Sequence, residues 1–269
     1  MTRASFFRST FFLIATFIGI GSAHAQGFSA LVSPPRFEDS AKLGSTYRNV
    51  IEISNVAGET SHFNLKTTDW KLLPDASVSY SDALTPESCR PWVALEGREV
   101  SIGANGKKRF RFEVKVPADA TIGECRFAIM IEGDAEAPKN SKVPVAVAGR
   151  IAVIVYLSLG DAKPVLSVVG AETATVEGRV VPAVRISNTG NAHGRLEGFV
   201  DGRDASGKKL TFMPSNLPIM PGETRLITLS PDGDRAGELG PVLQFPVQIK
   251  GALEWANHKT PIEASFDPD

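Results

Sequence analysis

The stretch 142–164, KVPVAVAGRIAVIVYLSLGDAKP, constrains the fold more than any other part of the chain. From Val143 to Leu159 every odd position except Gly149 is Val, Ile or Leu. Successive side chains of a strand point to opposite faces, so the run makes one continuous apolar face. It is far longer than the usual strand of about five or six residues. A long, flat apolar edge is an aggregation hazard unless it is covered or used for pairing. Pro144 cannot donate to a ladder, which places the first part of the run at an edge. From Ile151 to Leu159 both faces are apolar, Ile154 and Tyr156 joining Val153 and Val155, which predicts burial against a sandwich. The run is therefore expected to divide at Gly149-Arg150 into an accessible half, Val143 to Val147, and a buried half. An ordinary core strand that is merely long is the competing reading.

The rest of the chain alternates in the same way. Val50-Ile51-Glu52-Ile53, Phe63-Asn64-Leu65-Lys66 and Val184-Arg185-Ile186 read as strands, and no window keeps apolar residues at helical spacing. Turn signals such as Ala57-Gly58, Asn105-Gly106 and Pro221-Gly222 fall between them at short intervals. The fold class is therefore all-β, with short strands that favour immunoglobulin-like (Ig-like) sandwiches. A weak repeat predicts two of them. Ile51-Glu52-Ile53-Ser54-Asn55 starts a hairpin into Phe63-Asn64-Leu65, and Val184-Arg185-Ile186-Ser187-Asn188 does the same into Leu196 to Val200. Each is followed later by a turn and a charged strand, at Ile102-Gly103 and at Ile219-Met220.

Arg3 and Arg8 precede an apolar run from Phe11 to Ile20 that closes on Ala23-His24-Ala25, the pattern of a secretory signal cleaved before Gln26. The run is too short to span a membrane. The expected layout is a signal peptide at 1–25, an N-terminal Ig-like domain at 26–160, a short hinge, and a C-terminal Ig-like sandwich at 161–269. Without the signal, 27 basic residues face 30 acidic ones, a formal charge of -3 that offers nucleic acid no affinity. Cys89 and Cys125, the only cysteines, are expected to form a disulfide in an oxidising compartment.

Candidate chemistry is sparse. Past the signal, His62, His193 and His258 are isolated and read as solvated or hairpin-supporting, and no histidines or cysteines have metal-ligand spacing. Neither a Gly-x-Ser-x-Gly elbow nor a phosphate-cradling glycine loop appears. In Lys107-Lys108-Arg109-Phe110-Arg111-Phe112 the period of two puts the phenylalanines in the core and the arginines in solvent. No metal, cofactor or enzymatic activity is expected.

The chain resembles the periplasmic pilus chaperones of the chaperone/usher pathway. The resemblance rests on the export signal, two Ig-like domains, Pro35-Arg36-Phe37 early in the first strand, Ile53-Ser54-Asn55 in the second, and the alternating strand that leads to the hinge at Gly160-Asp161-Ala162-Lys163-Pro164. It implies donor-strand complementation, in which a long strand of the first domain lies in the groove of a subunit lacking a strand. Mapped here, the donor residues are Val143, Val145 and Val147, with Ile151 nearer the cleft. The family also anchors the subunit's terminal carboxylate on a basic pair, and Arg36 matches its first member. The second, a lysine, falls on Ala152 or Val153; Arg150, some two residues early, either substitutes or leaves the anchor weaker. The Cys89 to Cys125 bridge is not a general family feature.

Three functional readings follow. The first is a non-enzymatic periplasmic chaperone whose partners are pilin-like subunits and an outer-membrane usher, with self-capping of the free chain as a dimer left open. The second is a standalone Ig-like scaffold or adhesion module of the envelope. The third, an envelope hydrolase or carbohydrate binder, has little support, since Trp70, Trp92 and Trp255 are scattered.

Overall fold

The computed structural model describes residues 29–134, 148–232 and 241–268. Among the described residues the chain forms seventeen strands and one 3-10 turn, and no α-helix. The first ten strands are β1 (Ala30–Ser33), β2 (Arg36–Ala41), β3 (Thr46–Asn55), β4 (Ser61–Leu72), β5 (Val78–Ser81), β6 (Val93–Leu95), β7 (Glu99–Ile102), β8 (Lys107–Lys115), β9 (Gly123–Gly133) and β10 (Arg150–Leu159). They make two facing sheets, ordered β1-β3-β8-β6 and β2-β10-β9-β4-β5, with β7 also pairing β4. The alternation explains the faces. In β8, Phe110, Phe112 and Val114 are buried while Arg109 and Arg111 are exposed. Phe112 meets Phe37 and Phe127 of the opposite sheet edge-to-face, at 5.3 and 6.2 Å between ring centres.

The first strand serves both sheets. β1 pairs β3 antiparallel, and β2 pairs β10 in parallel. Between them lie Pro34 and Pro35, which have no N–H for either ladder, so the chain changes sheets there.

The remaining strands are β11 (Leu166–Val176), β12 (Arg179–Asn188), β13 (Val200–Arg203), β14 (Lys209–Pro214), β15 (Thr224–Pro231), β16 (Val247–Trp255) and β17 (His258–Phe266). They are hydrogen-bonded in the order β11-β12-β15-β14-β13-β16-β17, and β11 comes to lie against β17. The sheet thus wraps round a second core that contains Phe212, Ile219, Trp255 and Phe266. The architecture is all-β and Ig-like in both modules, as the alternation predicts.

The repeat is real, but its hairpins are not. β3 and β4 belong to different sheets, and β12 has no pairing with β13. The two asparagines supply the reason. Asn55 donates its side-chain amide to the carbonyls of Glu59 (2.8 Å) and Ile102 (3.0 Å) and accepts from Ala57 N–H (2.9 Å). Asn188 donates to the carbonyls of Ala192 (2.8 Å) and Ile219 (2.9 Å) and accepts from Gly190 N–H (2.9 Å). Each amide therefore closes an Asx turn and also ties it to a distant segment, which carries the chain away from its own sheet. Both asparagines are fully buried, so these bonds satisfy groups that would be costly to leave unpaired.

Cys89 and Cys125 form the disulfide, joining the 3-10 turn at Arg90–Trp92 to β9 with 5.4 Å between Cα atoms.

Candidate functional site

The even-numbered residues of β10 face away from the first core, onto the outer surface of its sheet. Register places Ile154 opposite Arg36 of β2 and Ala128 of β9, and places Tyr156 opposite Glu38 and Arg126. Trp70 of β4, Ala128 and Tyr156 form a small buried cluster, against which Leu72, Ala152, Ile154 and Met220 of the second module pack. This covers the outer face of the second half of β10, which explains its apolar character on both sides.

Beside the cluster the two modules meet through charge. His193 stacks on the Tyr156 ring at 3.9 Å. Its Nδ1 makes a short contact with Glu124 Oε2, its backbone N–H donates to the same oxygen (3.1 Å), and its Nε2 lies 3.7 Å from Glu38 Oε1. Arg195 Nε donates to Glu38 Oε1 (3.1 Å), Nη1 to the carbonyl of Asn216 (2.6 Å) and Nη2 to the Tyr156 hydroxyl (3.5 Å). Glu124 N–H donates to Asn191 O (2.8 Å). The Glu124 side chain is fully buried; its Oε1 has no hydrogen bond but faces Arg126 at 3.8 Å.

These contacts set the proton equilibria. The approach of His193 holds Glu38 down at about 2, against the effect of burial and with help from Arg195 and Arg36. Burial would depress His193, but the hydrogen bond to Glu124 and the nearby Glu38, together with their charges, outweigh it and raise the pKa. Burial pushes Tyr156 up to about 12.

The expected site residues fall into separate places. Arg36 begins β2, faces outward, remains 45% exposed, and pairs with Glu38 at 2.8 Å. Arg150 begins β10 and is exposed. It stands four positions from Ile154, about 13 Å along the strand at 3.3 Å per residue, so it does not lie beside Arg36. Burial raises the pKa of Tyr80 of β5, and Arg150 is close enough to offset part of that rise. Ile151 is half-buried on the inner face, packed against the first core. Val143, Val145 and Val147 lie outside the described residues.

The edge of β10 is divided. β2 covers it from Ile154 to Leu159, and Ile154 N–H donates to Pro35 O at 3.4 Å. From Arg150 to Val153, β10 pairs β9 on one side and has no strand on the other among the described residues. Because Ile154 N–H points toward β2, the backbone groups of Ala152 point to the same, open side. Arg150 to Val153 thus keep an open edge within the half expected to be buried, past the expected division at Gly149-Arg150.

Sequence reading missed Glu38, Glu124, Tyr156, His193 and Arg195. His193 was expected to be solvated or hairpin-supporting; its side chain is only 10% exposed and bridges the modules. Among the described residues no cluster suits a metal ion, and no helix is long and apolar enough to cross a membrane.

No family model and no curated protein matches the sequence. Solved structures do. The chain is similar in structure to pilus chaperones. The class 5 fimbriae chaperone CfaA matches with a TM-score of 0.47 and 12% identity over 89% of this chain and 100% of that one. The YadV chaperone matches at 0.46, with 11% identity over 88% and 99%. The Pseudomonas aeruginosa CupB2 chaperone matches at 0.45, with 11% identity over 88% and 100%.

Proposed function

We propose that the chain is a non-enzymatic periplasmic chaperone that caps pilin-like subunits by strand addition along β10. The observation that carries this reading is the open side of Arg150–Val153. It is continuous in sequence with the alternating Val143, Val145 and Val147, and its inner face is anchored by Ile151 and Val153 in the first core. An exposed ladder edge of this kind supplies main-chain hydrogen bonds, while alternate apolar side chains supply specificity. The resemblance at Pro35-Arg36-Phe37 and Ile53-Ser54-Asn55 suggests the client class, a β-rich subunit with a free terminal carboxylate. Arg36 is the anchor for that carboxylate, since a half-exposed guanidinium suits bidentate contact. Arg150 lies along the edge and contacts the client strand.

Val145→Asp and Val147→Asp test this directly. Each is expected to leave the melting temperature unchanged and to abolish co-purification of a small secreted β-rich subunit from periplasm. Loss of folding in both variants would make the segment core and remove the basis of the reading. Unchanged partner recovery, or self-association as the only effect, would favour a standalone module or a dimer edge instead.

A further inference from the structure

Arg36 is already occupied. The Glu38 Oε1 that it meets at 2.8 Å is also reached by Arg195 Nε at 3.1 Å and His193 Nε2 at 3.7 Å. One carboxylate oxygen is therefore shared between a cation of the first module and two nitrogen groups of the second. The second-module partners are held in place. Arg195 is tied to Asn216 O and sits 5.8 Å over the Tyr156 ring, and His193 is clamped between Tyr156 and Glu124. Arg36 and Glu38 are the exposed members, at 45% and 33%.

We propose that Glu38 is an exchangeable internal ligand of Arg36: an incoming carboxylate displaces it onto Arg195 and His193, so occupancy of Arg36 and docking of the second module reinforce each other. The proposal rests on the reading of Arg36 as a carboxylate anchor and adds the regulation of that site.

Charge balance supports the exchange. The groups that face His193 and its partners are Glu38 from β2, Glu124 and Arg126 from β9, Tyr156 from β10, and Arg195, with Glu87 on Arg126 at 3.7 Å. Arg36, Arg126 and Arg195 balance Glu38, Glu87 and Glu124. A protonated His193 leaves one positive charge in excess, which an incoming carboxylate neutralises; a neutral His193 leaves none. Glu124 and Glu38, which raise the His193 pKa, favour the first state. Coupling between two binding events is reciprocal, so docking of the second module strengthens the anchor by the same factor as an occupied anchor strengthens docking.

The test uses the full chain without residues 1–25 and one synthetic peptide of alternating apolar and polar residues, made as the free acid and as the C-terminal amide. Binding is read from the Nε–H resonances of Arg36 and Arg195, and module orientation from residual dipolar couplings. The free acid is expected to bind wild type about tenfold tighter than the amide at about pH 6 and to reduce motion between modules. His193→Gln, or a rise in pH through the folded pKa of His193, lowers free-acid affinity about tenfold. Glu38→Gln raises it and removes both the pH dependence and the change in module motion. Arg195→Gln, which returns Glu38 to Arg36, lowers it and serves if Glu38→Gln does not fold. Equal free-acid affinity in wild type and in the His193, Glu38 and Arg195 variants overturns the coupling and leaves the anchor standing. A free acid bound no better than the amide, or bound regardless of Arg36→Gln, overturns the anchor and the coupling together. Capture along β10 is judged separately by Val145→Asp.

Discussion

His193 connects two glutamates that are remote from it in sequence, Glu124 by 69 positions and Glu38 on another strand. Its effect on stability has a definite sign. A histidine whose pKa is raised on folding stabilises fully below its unfolded value of 6.5, and the benefit is lost as pH rises through the folded pKa. Glu38 behaves oppositely. Its stabilisation is full above the ordinary 4.5 and is lost as pH falls toward about 2. The seam is therefore strongest between pH 4.5 and 6.5. Calorimetry should show wild-type stability declining above that window, with His193→Gln flat over the same rise; parallel curves would remove His193 from the seam's energetics. None of this was legible in the sequence. Arg195 meets Glu38 across 157 positions, and a lone histidine beside a turn gives no periodic signal. Asn55 and Asn188 were more readable, because each sits at the end of an alternating run. Their reach to Ile102 and Ile219 was not, since propensity reports only local hydrogen bonding.

At the scale of elements, pattern served well where one face is core. The phenylalanines of β8 follow from alternation, and the two-faced burial of Val153 to Leu159 from apolar residues on both faces of the run. Pairing did not follow, because alternation defines a face but not a neighbour, and so β3 and β4 were expected as a hairpin. The edge of β10 yields a further test. Ala152 directs its N–H to the open side, so Ala152→Pro removes an edge donor and spares the ladder with β9. Partner capture should fall sharply, with a stability loss of about 1 kcal/mol as for a tolerated edge substitution. Hydrogen exchange at Ile129 and Ile131 would check that β9 remains paired; exposure there would mean that the strand itself had broken.

The whole molecule has two cores with one covalent staple, and the staple lies entirely in the first. Closing 36 positions contributes about 3 to 4 kcal/mol in the chain-entropy model. Replacing Cys89 and Cys125 together by Ala should therefore split the melt into two transitions, the first module unfolding earlier and the second unmoved. A single transition shifted as a unit would mean that the seam transmits the loss across both. The two sandwiches were legible in the sequence because alternation and turn spacing extend over most of the chain. The seam between them depends on single contacts that composition averages away.

The crossover at Pro34-Pro35 has a consequence for how such a chain diversifies. β2 covers β10 only from Ile154 onward because the prolines hold the preceding residues in the other sheet. The position of this pair is thus a stop that meters how many backbone groups of β10 are left unpaired by β2. It can move only in steps of two, since a shift of one would turn Phe37 out of the core. Lineages that slide the prolines by such a step would trade sandwich closure against reach without altering one residue of β10.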